Sequence, residues 1–216
     1  MEHARPLPEY LVRRYHGWKA TVFAENRSWY HRLAEDGQRP RTMVISCCDS
    51  RVHVTSIFGA EQGEFFIHRN IANLVPPYAP DTDHHGTSAA VEYAITGLHV
   101  SNLVVLGHSG CGGVRACYEM CSGHAPELDA NTSFIGRWMD ILRPGFDRLP
   151  AGQEDADRIG RLEKEAVIVS LENLMTFPFV RRAVERDELS LHGLWNDISS
   201  GGLECVDGAT GSFAAI

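Results

Sequence analysis

Residues 102–114 read NLVVLGHSGCGGV. The segment from Asn102 to Leu106 has the apolar run of a buried strand. Gly107 ends it, and Gly110, Gly112 and Gly113 let the backbone bend tightly before a helix that the pattern starts near Val114. A strand passing through a glycine-rich turn into a helix is a building block of an α/β fold. The turn also carries His108 and Cys111, an H-x-x-C pair placed where a strand ends.

The same grammar recurs on either side. Residues 43–52, MVISCCDSRV, form a short strand from Met43 to Ser46 that stops at two adjacent thiols. EFFIH after Gly63 reads as another strand, and Val91, Ala94, Ile95 and Leu98 mark one face of a helix. Val167, Leu171, Leu174 and Met175 mark a second amphipathic helix, after a polar connection at 145–157 with Pro144 just before it and Pro150 within it. The last part, LSLHGLWNDI–SSGG–LECVDG, reads as a hairpin turning at glycine. At the other end, residues 8–35 look helical, with Leu11, Tyr15, Trp18 and Val22 along one face, before Gly37 and Pro40 break the pattern. The expectation is an α/β fold. It has a mostly parallel β-sheet core flanked by helices, an N-terminal helical arm (1–36) and a C-terminal antiparallel hairpin, all within one domain (1–216).

Composition narrows the function. A chain of 216 residues, 44% hydrophobic, can bury one sizeable core. Its net charge of −8 and the lack of a Lys/Arg block argue against a broad nucleic-acid surface. No apolar run approaches membrane-spanning length and the N-terminus has no signal-like apolar stretch, so a cytoplasmic protein is expected. Six cysteines are too sparse for a disulfide framework and should stay reduced. Cys117, Cys121 and Cys205 read as small buried hydrophobes.

In α/β sheets ligands gather beyond the carboxyl ends of strands. Cys47 and His108 each follow a buried strand, 61 positions apart, so the fold can bring them to one edge. Taken singly, each of Cys47, His108 and Cys111 is an ordinary core or turn residue. Taken together, thiolate and imidazole suit zinc. One cysteine of the 47–48 pair would make three protein ligands, and three ligands with an open fourth position is the catalytic pattern. Cys111 stands near a helix N-terminus, which favours a thiolate.

Over nearly its whole length the chain resembles the β-class carbonic anhydrases. The resemblance is carried by Cys47-x-Asp49-Ser50-Arg51, Gly63-x-x-Phe66-x-x-Arg69-Asn70-x-Ala72-Asn73, Gly86–Tyr93, Gly107-His108-x-x-Cys111-Gly112-Gly113 and the later His192-Gly193, Asp197-Ile198 and Gly202. It implies one Zn²⁺ held by Cys47, His108 and Cys111, leaving Cys48 a bystander. It further implies reversible hydration of CO₂ to bicarbonate and a proton, with Asp49 and Arg51 as the catalytic dyad. Two thiolates would leave the zinc a weaker Lewis acid than three histidines do. Substrate contacts would come from Gln38, Phe66, Ile71, Tyr93 and the backbone near Gly112. The implied assembly is a homodimer or larger homo-oligomer whose pocket is completed across the interface. Gln38, nine residues before Cys47, and Val44, where the closing subtype has tryptophan, match the plant-type, open subtype. Ser46 departs from the more usual Ala or Gly. Arg69 and Asn70 read as structural, and His53, His84 and His85 as surface residues able to pass protons to buffer.

Three rivals accompany this reading. The same fold and ligands would serve a carbonyl sulfide or carbon disulfide hydrolase. GHSGCGG superficially resembles a phosphate loop, but it lacks the Gly-Lys-Ser/Thr ending that a nucleotide-binding module would need, and a non-catalytic zinc module would not need the Asp49–Arg51 dyad. A nucleophilic cysteine enzyme would leave Cys47 open to alkylation.

Overall fold

β1 (Thr42–Cys47) is buried from Met43 to Cys47, as a strand covered on both faces must be. In the computed structural model, which describes residues 3–81, 85–129, 132–152 and 154–216, β1 lies between two parallel neighbours. These are β2 (Phe65–Asn70) and β3 (Asn102–His108). β4 (Ser190–Asn196) continues the parallel set beyond β3. β5 (Leu203–Val206) then turns back antiparallel, pairing Leu194 with Cys205. A short β6 (Phe213–Ala215), not expected from the sequence, extends the edge, and the order is β2-β1-β3-β4-β5-β6.

That order places the site. The chain leaves β1 toward one side of the sheet and leaves β3 toward the other, so the winding reverses between them. Ligands bind at such switch points, beyond the carboxyl ends. Ser46 pairs with Leu106, which sets Cys47 and His108 at neighbouring strand ends.

The residues up to Arg39 and those from Pro40 onward form separate compact units. The first holds α1 (Glu9–Trp18), a wider π turn (Lys19–Phe23) and α2 (Arg27–Asp36), with no buried residue in any of them. Trp18, Phe23 and Tyr30 stack their rings together. The expected single helix over 8–35 is interrupted at Asn26, whose side-chain amide donates to the Val22 carbonyl at 2.9 Å. A side chain that competes for backbone groups in this way weakens a helix locally.

The second unit adds α3 (Val54–Phe58), α4 (Gly86–Glu92) with a π turn at Tyr93–Gly97, α5 (Gly112–Cys121), α6 (Phe134–Met139), α7 (Arg143–Asp147), α8 (Asp155–Leu174) and α9 (Pro178–Glu185). The polar connection is shorter than expected. Pro144 sits in the first turn of α7, where its missing N–H is no loss, and α8 already starts at Asp155. α8 packs on β3 and β4, burying Val167 and Leu174 in the cluster of Leu103 and Val105, while its Leu162 and Ala166 join the cluster of Cys47 and Cys111. It can approach because β3 and β4 carry glycine there. A Cβ on Gly107 would lie 2.7 Å from Val167 Cγ2, and one on Gly193 would lie 2.8 Å from Val167 Cγ1. Among the described residues no helix is long and apolar enough to cross a membrane.

Candidate metal centre

Three elements each bring one donor to the switch point: Cys47 ends β1, His108 ends β3, and Cys111 caps the start of α5. Their ligand atoms lie within 4.8 Å of one another, and the two sulfurs are 4.0 Å apart. All three residues are nearly sealed, at 4%, 1% and 2% exposure. His108 Nδ1 sits 2.9 Å from the Ser109 carbonyl, which assigns the proton to Nδ1. Nε2 is then a buried acceptor with no hydrogen-bond partner among the described residues. An orphaned imidazole nitrogen facing two thiols is what a bound cation would satisfy.

The electrostatics agree. The Cys47 thiol is lowered to about 4, chiefly by its hydrogen bond with Cys111, with smaller help from His108 and neighbouring amides against the penalty of burial. Cys111 moves the opposite way, raised by its hydrogen bond to Cys47 and by burial. The close sulfur–sulfur contact couples the two titrations, and a dication held between them would favour the thiolate form of both. Burial pulls His108 down, but Cys47 and the Ser109 carbonyl outweigh it, so the imidazole shifts upward. Two soft sulfurs and one imidazole fit zinc, with a fourth position left for the reacting molecule.

Beside the donors, Asp49 and Arg51 form a bidentate pair. Arg51 Nε donates to Oδ1 at 3.0 Å and Nη2 to Oδ2 at 2.7 Å, while the Arg51 amide also donates to Oδ1. These bonds hold the Asp49 carboxyl well below the usual carboxylate range. Nη2 additionally donates to the Gly110 carbonyl at 3.0 Å, tying the pair to the His108–Cys111 turn. Arg69 grips the other side, donating to the carbonyls of Cys47, Asp49 and Val52 at 2.8–2.9 Å. Asn70 closes a turn onto Leu74 through both its amide atoms.

The other expected residues are distributed. Ile71 lies against α5: a Cβ added at Gly113 would meet its Cγ2 at 2.6 Å. The left-handed backbone of Ala72 (φ 62°) makes that turn possible. Gly112 directly follows Cys111 and is exposed. Phe66 and Tyr93 form a ring pair, centroids 5.8 Å apart, and Phe66 packs on a different apolar cluster from that of Cys47 and Cys111. Tyr93 is 52% exposed. Gln38 lies exposed in the coil that ends the N-terminal unit. Cys48 is exposed on the rim of a cavity of about 650 Å³ shared with Arg69, Ile71, Thr87, Phe134 and Trp138. Cys117 is buried, while Cys121 and Cys205 are half-buried. His53 Nδ1 pairs with Thr55 Oγ1 at 2.8 Å, His85 is half-buried, and His84 lies outside the described residues.

Two groups near the donors make contacts that the sequence did not announce, Asp197 having entered only as part of a matching motif and Glu163 not at all. Asp197 accepts from Ser109 Oγ at 3.0 Å and so buttresses the residue that fixes the His108 ring. Glu163, on α8, accepts the Cys111 amide at 3.1 Å. The only signal for Glu163 was an acid on the helix face that Leu162, Ala166 and Val167 bury.

A family model described as carbonic anhydrase matches residues 42–203. Beta carbonic anhydrase 3 of Arabidopsis thaliana is 40% identical over 187 residues, 85% of this chain and 70% of that protein. Among solved structures, the β-carbonic anhydrase CcaA superposes with a TM-score of 0.83 at 28% identity, over 96% of this chain and 91% of that one. One from a study of two tetrameric β-carbonic anhydrases of Sordaria macrospora gives 0.74 at 28% identity, over 95% and 98%.

Proposed function

The chain belongs to the β-class carbonic anhydrases and catalyses the reversible hydration of CO₂ to bicarbonate and a proton, and we propose the following division of labour among its residues. The observation that carries it is the convergence of Cys47, His108 and Cys111 within 4.8 Å at the switch point of the sheet. Zinc held there supplies a Lewis acid that lets water act as a nucleophile near neutral pH.

Asp49 accepts a hydrogen bond from the attacking water and aims it, because an ionised carboxylate held from behind by Arg51 offers its free lone pairs forward. Arg51 orients Asp49 and, through Gly110, keeps it in register with Cys111. The backbone at Gly112 positions the oxygens of CO₂, while Phe66, Ile71 and Tyr93 supply an apolar surface. The proton leaves through surface groups such as His53 or His85.

Several features support the open subtype. Val44 is sealed at 1% exposure within β1, and Arg51 holds both oxygens of Asp49. The half-exposed Tyr93 suits a homodimer or larger assembly in which a second copy completes the pocket, and the Sordaria relatives are described as tetrameric. Both units then serve a single catalytic domain, with the N-terminal helices as its arm. Six free thiols suit a reducing compartment, the cytoplasm.

Metal analysis of the purified protein combined with stopped-flow CO₂ hydration tests the whole reading. One zinc per chain and rapid hydration are expected. A zinc-replete protein without hydration would refute it.

A further inference from the structure

Glu163 is an acid where α8 should carry a hydrophobe. It is 4% exposed, and among the described residues no lysine or arginine forms an ion pair with it. Burial pushes its carboxyl up, opposed in part by the amides of Cys111 and Gly110. Placing such a group in the interior is costly unless it satisfies something equally buried.

What it satisfies is the amide of Cys111. Cys111 stands at the cap of α5, so its N–H lies outside the helical ladder. The residue is 2% exposed, which leaves no water to accept that proton. Glu163 Oε1 accepts it at 3.1 Å, reaching across from a different helix. Gly110 before it has φ +66°, a conformation that turns the peptide plane sharply, with its carbonyl held by Arg51. With its own amide turned toward α8, Cys111 places its sulfur near the first amides of α5, those of Val114 and Gly113, which favour the thiolate.

We propose that Glu163 is a positioning residue for the metal centre: by holding the Cys111 amide it fixes the peptide from which Sγ departs and so retards loss of the ion. The proposal rests on the zinc assignment above. It extends the set of working residues to α8, a helix that offers no ligand and touches no substrate.

The test is the rate at which zinc-loaded protein releases its metal to a colorimetric chelator. In E163L the acceptor is gone, and release should be about 10- to 100-fold faster, the usual effect of removing a group that orients a ligand. E163Q keeps an acceptor oxygen and should stay close to the wild-type rate. In the cobalt-substituted proteins the visible ligand-field bands should shift in E163L and not in E163Q. Circular dichroism must show both variants folded at the temperature of the assay. Wild-type release from E163L, or release from E163Q as fast as from E163L, would overturn the proposal. Should E163L not fold, E163D draws the carboxyl back by one methylene and carries the same test: faster release from a folded protein supports the role, and wild-type release overturns it. A wild-type protein that binds no zinc would instead refute the metal assignment itself.

Discussion

Cys47 and Cys48 are adjacent in sequence and part company at the end of β1. Cys47 turns inward at 4% exposure, its sulfur 4.0 Å from that of Cys111, whereas Cys48 is exposed. Extended backbone sends successive side chains to opposite sides, so one thiol faces the donors and the other cannot. Cys47→Ser should lose both zinc and CO₂ hydration. Cys48→Ser should keep both near wild type. Metal content and stopped-flow rates on the two variants decide it, and retention of zinc by Cys47→Ser would remove Cys47 from the ligand set.

Ser46 is the one polar residue among the buried positions of β1, at 0% exposure, and its hydroxyl has no hydrogen-bond partner among the described residues. An unsatisfied buried hydroxyl costs about 1–3 kcal/mol. Ser46→Ala removes the polar atom and little volume, so it should stabilise the fold by about 1 kcal/mol. For a chain of this size that is roughly 2–4 °C in melting temperature. Thermal melts of the zinc-loaded proteins check it. An unchanged or lowered melting temperature would mean the hydroxyl finds a partner after all.

The parallel core and the donor set were legible because both rest on local patterns. An uninterrupted apolar run such as NLVVL can only be a covered element, and a strand that ends at Cys47 or His108 must deliver that side chain to the carboxyl edge. What escaped was whatever depends on a partner distant in sequence. Glu163 meets Cys111 across 52 positions and Asp197 meets Ser109 across 88, contacts that no periodicity encodes. The break at Asn26 was hidden for a different reason: it turns on a side-chain hydrogen bond inside an otherwise regular helical pattern. β6 has only three residues, too short for alternation to register.

Asp49→Asn should separate metal binding from turnover. The amide matches the carboxylate in shape, but it places an N–H₂ against Arg51 or against the reacting water. Zinc content should be unchanged, and the rate of hydration should fall by about 10- to 100-fold. Loss of zinc from Asp49→Asn would show instead that the carboxylate supports the donors.

Arg51 sets the pH behaviour. Its side-chain and backbone donors are the largest causes that hold Asp49 below the ordinary carboxylate range. For a depressed acid, the stability contribution is present above the unfolded value, roughly 3.9, and is lost only as pH falls through the folded value. Between mildly acid and mildly alkaline pH the wild type should therefore show no event from protonation of Asp49. Arg51 is 55% exposed, so solvent screens the pair and its weight lies in orientation more than in fold stability. Arg51→Leu should let Asp49 rise toward the ordinary range and free it to swing. A freed carboxylate beside a zinc ion can take the fourth position, which competes with water most strongly as pH falls and hydroxide becomes scarce. The variant's kcat/KM should then collapse steeply below neutral pH, while the wild type declines with the shallow slope of a single ionisation. Rate profiles of both proteins over that range measure the difference. A steep collapse already present in the wild type would mean that Arg51 does not keep Asp49 from the metal, and the open-site reading would fall.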